Sequence, residues 1–117
     1  MMKLLDIGRL RHRIAIQQRI EVQDSDTGDI SFTWETVDGM ASVAAEITPL
    51  SAREFQAAAA TQSNIIGRIV IRYRVGVTAK MRVVHGRKVY SIEGVLPDPE
   101  SGLEWLTLPV SEGVNQG

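Results

Sequence analysis

The chain has 117 residues and a mass of 12.9 kDa, enough for one domain with its own core. It is 44% hydrophobic and 23% charged with a net charge of -1, which favours a folded core over disorder. Zero cysteines exclude a disulfide framework and a thiolate metal site, and 5% aromatics argue against a base-stacking platform.

The apolar runs are too short to span a bilayer, so no membrane association is expected. The opening MMKLLDIG has no apolar stretch of signal-peptide length, so export is not expected either. The small net charge conceals an uneven distribution. Residues 1–20 carry +4, residues 21–60 carry -7, residues 61–90 carry +7 and residues 91–117 carry -5. Such blocks can neutralise one another inside one fold. They can also give a molecule a positive and a negative side, able to bind copies of itself head to tail, and heterologous contacts close into rings.

Residues 1–8 read as a weakly ordered lead-in. Residues 13–21 alternate, with Ile14, Ile16, Gln18 and Ile20 on one face and Arg13, Ala15, Gln17 and Arg19 on the other. Period two with β-branched residues predicts a strand. Residues 23–29 are polar and contain Gly28, which predicts a loop. Residues 30–37 form a second strand, with Phe32, Trp34 and Thr36 opposing Ser31, Thr33 and Glu35. Asp38-Gly39 marks a turn or a bulge, and residues 40–47 continue as an alanine-rich strand.

Pro49 interrupts the sheet. Ser51-Ala52-Arg53-Glu54 matches a capping box, so a helix is predicted over about residues 51–62. Ala52, Phe55 and Ala59 share one face of it. That thin face either packs on the domain's own sheet, the simpler expectation, or lies close to a neighbour. Residues 65–74 carry the strongest strand pattern, with Ile69, Ile71 and Tyr73 opposite Arg68, Val70, Arg72 and Arg74. Residues 75–79 read as a loop. Residues 81–85 and 88–95 are two strands joined around Gly86-Arg87, a hairpin signal. Residues 96–102, with two prolines and a glycine, read as a turn. Residues 103–110 form the last strand, with Leu106, Leu108 and Val110 on its apolar face, and residues 111–117 read as a loose tail. The expected fold is mainly β: one domain over residues 1–117, a barrel or sandwich of about six strands with one inserted helix.

Little in the chain suggests catalysis. His12 sits between two arginines and His85 beside a tight turn, and no nucleophile elbow, phosphate loop or dinucleotide fingerprint is present. Asp24, Asp26 and Glu35 match a calcium loop in part, but Asp29 occupies the position that needs glycine, so no metal or cofactor is expected. Arg9, Arg11 and Arg13 form one arginine stripe, and Arg68, Arg72 and Arg74 another. A stripe of this kind binds phosphate or meets carboxylates of a neighbouring subunit. The chain's acid excess and few aromatics favour the second.

Four segments carry a resemblance. Gly8-Arg9-Leu10-Arg11-His12-Arg13-Ile14-Ala15-Ile16-Gln17 resembles the opening of the tailed-bacteriophage head–tail joining proteins, also called head-closure or stopper proteins. Pro49-Leu50-Ser51-Ala52-Arg53-Glu54-Phe55 is similar to that family's P-L-S-G-R-E-F, at the start of its helix. Ile71-Arg72-Tyr73-Arg74-Val75-Gly76-Val77-Thr78-Ala79-Lys80-Met81-Arg82-Val83 resembles I-R-Y-R-P-G-I-T-P-K-M-R-V, and Leu96-Pro97-Asp98 matches the turn before the last strand. The four blocks stand in family order over residues 8–98. Val75 and Ala79 replace the prolines of the family loop, Ala52 a common glycine and Met40 a common aromatic.

The resemblance implies a non-enzymatic virion part, assembled in the host cytoplasm: a small β-barrel with one helix, forming a ring, usually a dodecamer, beneath the portal and its adaptor. The ring would retain packaged DNA, which could lie near the channel, and would offer the tail a docking surface. Arg68, Arg72, Arg74, Lys80 and Arg82 would then meet Asp24, Asp26, Asp29, Glu35 and Glu54 of the next copy. The loop of Val75, Gly76, Val77, Thr78 and Ala79, and the turn with Thr27 and Gly28, are candidates for the channel or for partner docking. The rival expectations are a nucleic-acid-binding barrel of the oligonucleotide-binding type and another connector component such as a tail terminator.

Overall fold

The computed structural model describes residues 7–113, so the expectations of flexible ends at residues 1–6 and 114–117 lie outside the described residues. A single 3₁₀ turn, Ile7–Arg9, leads into strand β1 (His12–Gln23). Strands β2 (Ile30–Thr36) and β3 (Val43–Pro49), helix α1 (Ala52–Ala60) and strand β4 (Ile65–Arg72) follow. The chain then forms β5 (Arg82–His85), β6 (Lys88–Ile92), the two-residue β7 (Leu96–Pro97) and β8 (Trp105–Glu112).

The order β1-β3-β4-β8-β6-β5, each strand antiparallel to the next, closes where β5 returns to β1. The result is a closed six-stranded barrel. Closure pairs both edges of every barrel strand, which removes the exposed edges of an open sheet. Side chains alternate in and out along each strand. The inward set, including Ile14, Ile16, Ile69, Ile71, Val83, Leu108 and Val110, fills the interior as one apolar cluster. The alternation in β1 and β4 therefore marks the inward face as expected, as do Leu106, Leu108 and Val110 in β8.

Several boundaries differ from the sequence reading, each for a local reason. Residues 37–42 turn before β3 begins: the Met40 amide donates to the Val37 carbonyl at 2.9 Å, and the Ile16 amide donates to the Met40 carbonyl at 3.0 Å. Pro49 ends β3 rather than interrupting the sheet, opposite Gly67. That approach admits only glycine, since a Cβ at Gly67 would sit 2.7 Å from the Thr48 carbonyl oxygen. Strand β4 ends at Arg72, leaving Tyr73 outside the apolar set and exposed. Leu96 and Pro97 pair with β8 before the chain turns. Ser111 and Glu112 are part of β8 rather than of a loose tail. Ser111 is buried between β4 and β6, and the Gly113 amide donates to the Val89 carbonyl at 2.8 Å.

Besides the two-residue β7, which pairs only with β8, two features stand outside the barrel among the described residues. The outer half of β1, residues 17–23, pairs with β2, and among the described residues β2 pairs with β1 alone. This arm helps stretch the molecule to 58 × 34 × 25 Å. Helix α1 is the second. Its capping box forms as predicted: the Glu54 amide donates to Ser51 Oγ at 3.2 Å and the Ser51 amide to Glu54 Oε1 at 3.0 Å. The expected packing on the sheet does not form, because α1 has no buried residue and Phe55 is 63% exposed.

Candidate functional site

With the interior filled by aliphatic side chains, what the fold offers to other molecules lies on its outside, at the arm, the 75–81 loop, the helix and one groove.

The arm is shaped by its turn. Asp24 Oδ1 accepts from the amides of Asp26 at 2.7 Å and Thr27 at 3.2 Å, an Asx turn. The Gly28 amide donates to the Asp24 carbonyl at 2.8 Å, and Gly28 takes a φ of 79°, which glycine reaches without strain. Thr27 Oγ1 accepts from the Asp29 amide at 3.2 Å. Asp24 is thus a turn former, and no group of three or more His, Cys, Asp or Glu among the described residues could hold a metal ion. Glu35 lies further down β2 and accepts from Gln18 Nε2 at 3.5 Å.

An arginine lies over each aromatic ring of β2, and Phe32 still stays 46% exposed. Arg19 stands 4.4 Å over Phe32 and Arg82 stands 4.3 Å over Trp34. Arg82 Nε also donates to Gln17 Oε1 at 2.8 Å, and burial lowers the pKa of its guanidinium. These contacts stiffen the base of the arm. Each arginine takes one face of its ring. A concave surface of about 610 Å³ lies between the arm and the 75–81 loop, lined by Arg19, Phe32, Trp34, Lys80 and Met81 among others.

Within the loop the candidates divide. Val75 is 77% exposed, whereas Val77 is buried in the core cluster and anchors the loop, so it is not a surface contact. Thr78 closes the next turn: its hydroxyl accepts from the Lys80 amide at 3.3 Å and its carbonyl from the Met81 amide at 3.2 Å. Gly76, Ala79 and Lys80 are exposed. Arg74 donates from Nη1 to the Gly39 carbonyl at 3.2 Å, tying the loop to the 38–39 turn. Arg72 is exposed at the end of β4.

Arg68 and Glu54, which the sequence reading assigns to a contact between copies, form an ion pair within one chain. The Ser51 amide and then the Arg68 guanidinium hold the Glu54 carboxyl below its ordinary value. Arg9 likewise grips Glu46 with Nε at 2.9 Å and Nη2 at 2.8 Å. The acids Asp24, Asp26 and Asp29 lie at the tip of the arm, far along β1 from α1.

Two features escaped the sequence reading. One is a groove of about 450 Å³ formed by the end of β3, the starts of β4 and β6 and the end of β8. Ile47, Pro49, Ile66, Val89 and Tyr90 help to line it, with Arg87 and Lys88 at its edge. Arg87 in the β5–β6 turn and Lys88 at the start of β6 were its sequence trace. The other is Asp98, buried under the turn after β7. Burial opposes its ionisation, but the amides of Glu100, Ser101, Gly102 and Glu104 at 2.7–3.1 Å outweigh it and hold the carboxyl well below its ordinary value.

The described surface thus combines a filled barrel, a protruding arm and a helix with no buried residue. The phage head completion protein family model matches residues 5–113, and the chain belongs to that family. It is a structural component of the phage virion, in a family that is not one of enzymes. The solution structure of protein SF1141 from Shigella flexneri 2a is similar, with 31% identity and a TM-score of 0.70 over 94% of this chain and 98% of that one. A chain in the virion of a native gene transfer agent particle shares the fold, with 20% identity and a TM-score of 0.59 over 97% of this chain and 98% of that one. No protein with a curated description matches. Among the described residues no helix is long and apolar enough to cross a membrane.

Proposed function

We propose that this protein completes the phage head by forming a ring, a dodecamer, below the portal and its adaptor, where it helps to retain packaged DNA and gives the tail its docking surface. The observation that carries this is the contrast between a finished barrel and its unfinished attachments. The barrel encloses an apolar core, while large apolar side chains stay exposed on the attachments, Phe55 of α1 and Val22, Ile30 and Phe32 of the arm, and at Ile66, Val75, Leu96 and Leu103. Exposed apolar side chains on protruding elements are what a subunit offers to a neighbour.

A ring that resists the pressure of packaged DNA needs contact area and rigidity. The Arg19 and Arg82 stacks give the arm its rigidity. Arg72 and the exposed part of the 75–79 loop remain available for the next copy or for the channel. Nucleic-acid binding of the oligonucleotide-binding type is disfavoured, because aromatics make up only 5% of the chain and an arginine already lies over one face of each of the two on β2.

The test is a phage or prophage lacking this protein. DNA-filled heads without tails should accumulate and leak their DNA, and purified protein added to them should restore tail joining. Infectious tailed particles made in its absence would refute the proposal.

A further inference from the structure

Among the described residues, none occupies the basic-edged groove. It lies at the barrel end where β1 begins, whereas the arm leaves the barrel along the other half of β1. β1 is 12 residues long, about 40 Å at 3.3 Å per residue, so a copy's own arm tip points away from its own groove. The groove floor is apolar and its edge carries Arg87, Lys88 and Arg68 against one acid, Glu112. Arg68 is satisfied by Glu54, but among the described residues neither Arg87 nor Lys88 forms an ion pair.

The arm is the complement of this surface. Residues 21–35 contain five carboxylates and no basic residue, and Val22, Ile30 and Phe32 stand exposed beside the acidic turn. A groove with an apolar floor and a positive edge therefore matches a protrusion with apolar flanks and a negative tip. Resting on the ring reading above, we propose that the arm tip of one copy seats in the Arg87–Lys88 groove of the next. The occupant is a second copy of this chain. The contact is heterologous, joining two different surfaces, and such a contact repeats around a ring. It replaces the pairing of Arg68 with Glu54 between copies by one between Arg87 and Lys88 and the arm acids Asp26 and Asp29. Charge complementarity of this kind sets the register and speeds docking.

The absence of cysteine makes a direct test clean. Ser25→Cys in the arm turn and Arg87→Cys at the groove are combined in one chain, incorporated into heads and treated with a short bis-maleimide. The expected result is a ladder of covalent multimers from the double variant and none from either single variant. Heads that carry many copies yet give no ladder would overturn the contact and leave the ring standing. Heads that carry at most one copy would overturn the ring reading and the contact with it.

Charge exchange gives an independent readout. Asp26→Lys with Asp29→Lys should lower incorporation about tenfold or more, the equivalent of about 1.4 kcal/mol, and so should Arg87→Glu with Lys88→Glu. All four changes together should restore it. If the fourfold variant stays defective and Arg87→Glu with Lys88→Glu also abolishes salt-sensitive binding to DNA, the groove takes phosphate and the proposal fails. If either paired variant assembles normally, it fails as well.

Discussion

The barrel and its attachments follow opposite rules. In the barrel Ile69, Ile71, Val83 and Leu108 are fully buried, and each strand has partners on both edges. In the arm beyond the barrel and in α1, apolar residues stand in solvent on elements held only at their base. The barrel can therefore be stable by itself, while the attachments gain their stabilising partners on assembly. Substitutions should separate the two: changes in the barrel should alter folding, and changes in the attachments should alter assembly.

The largest separation is expected between Leu108→Ala and Phe55→Ala. Leu108 is fully buried, so its truncation should cost about 3 kcal/mol and move the urea midpoint well down. Phe55 is mostly exposed, so its truncation should change stability by no more than about 0.5 kcal/mol while lowering incorporation into heads. Equal loss of stability in both would mean that α1 is part of the folding core.

Asp98 sharpens the comparison from the barrel side. Its folded pKa is depressed, so its contribution is complete above the unfolded carboxylate value of about 3.9 and disappears as pH falls through the folded value. Wild-type stability should decline with pH below about 4.5, and Asp98→Asn should flatten that decline. At pH 7 the variant should melt several degrees lower, because an amide keeps one acceptor oxygen and turns N–H donors toward the loop amides. Thermal melts of both proteins across pH 2–7 would check the sign.

How much of this was legible depended on whether a partner was local. The alternation of β1 and β4, the capping box at Ser51 and the two-residue turn at Gly86-Arg87 are all local patterns, and all appear. Barrel closure was not legible, because the pairing of Ala15 with Val84 joins strands that no short pattern connects. Ile20 and Val22 continue the alternation of Ile14 and Ile16, so the arm reads like the barrel although Ile20 is only half-buried and Val22 is exposed. The same limit hid the stack of Arg82 on Trp34 and the bond from Arg68 to Glu54. Each basic residue was visible, but the fold decided which acid or ring it met.

Ser51→Ala acts on the helix alone. It removes the acceptor for the Glu54 amide, at a typical cost of about 1 kcal/mol. Because α1 has no buried residue, that loss should appear as faster hydrogen exchange of the helix amides, with the global urea midpoint nearly unchanged. Protection of the β4 amides should not move.

The smallest effect should have the opposite sign. The helix ends with the Ser63 amide on the Ala58 carbonyl at 2.8 Å and the Gln62 amide on the Ala59 carbonyl at 3.1 Å, the bond pattern of a Schellman cap. Gln62 occupies its left-handed position with a φ of 59°, where a side chain is strained and glycine is not. Gln62→Gly should therefore stabilise the end of α1 by about 0.5–1 kcal/mol, even though glycine gains freedom in the unfolded chain. Slower exchange of the Thr61, Gln62 and Ser63 amides would show it. If assembly requires α1 to reshape at this end, the same variant should incorporate into heads more slowly. If it docks as a preformed helix, incorporation should be faster, because less disorder is lost on binding.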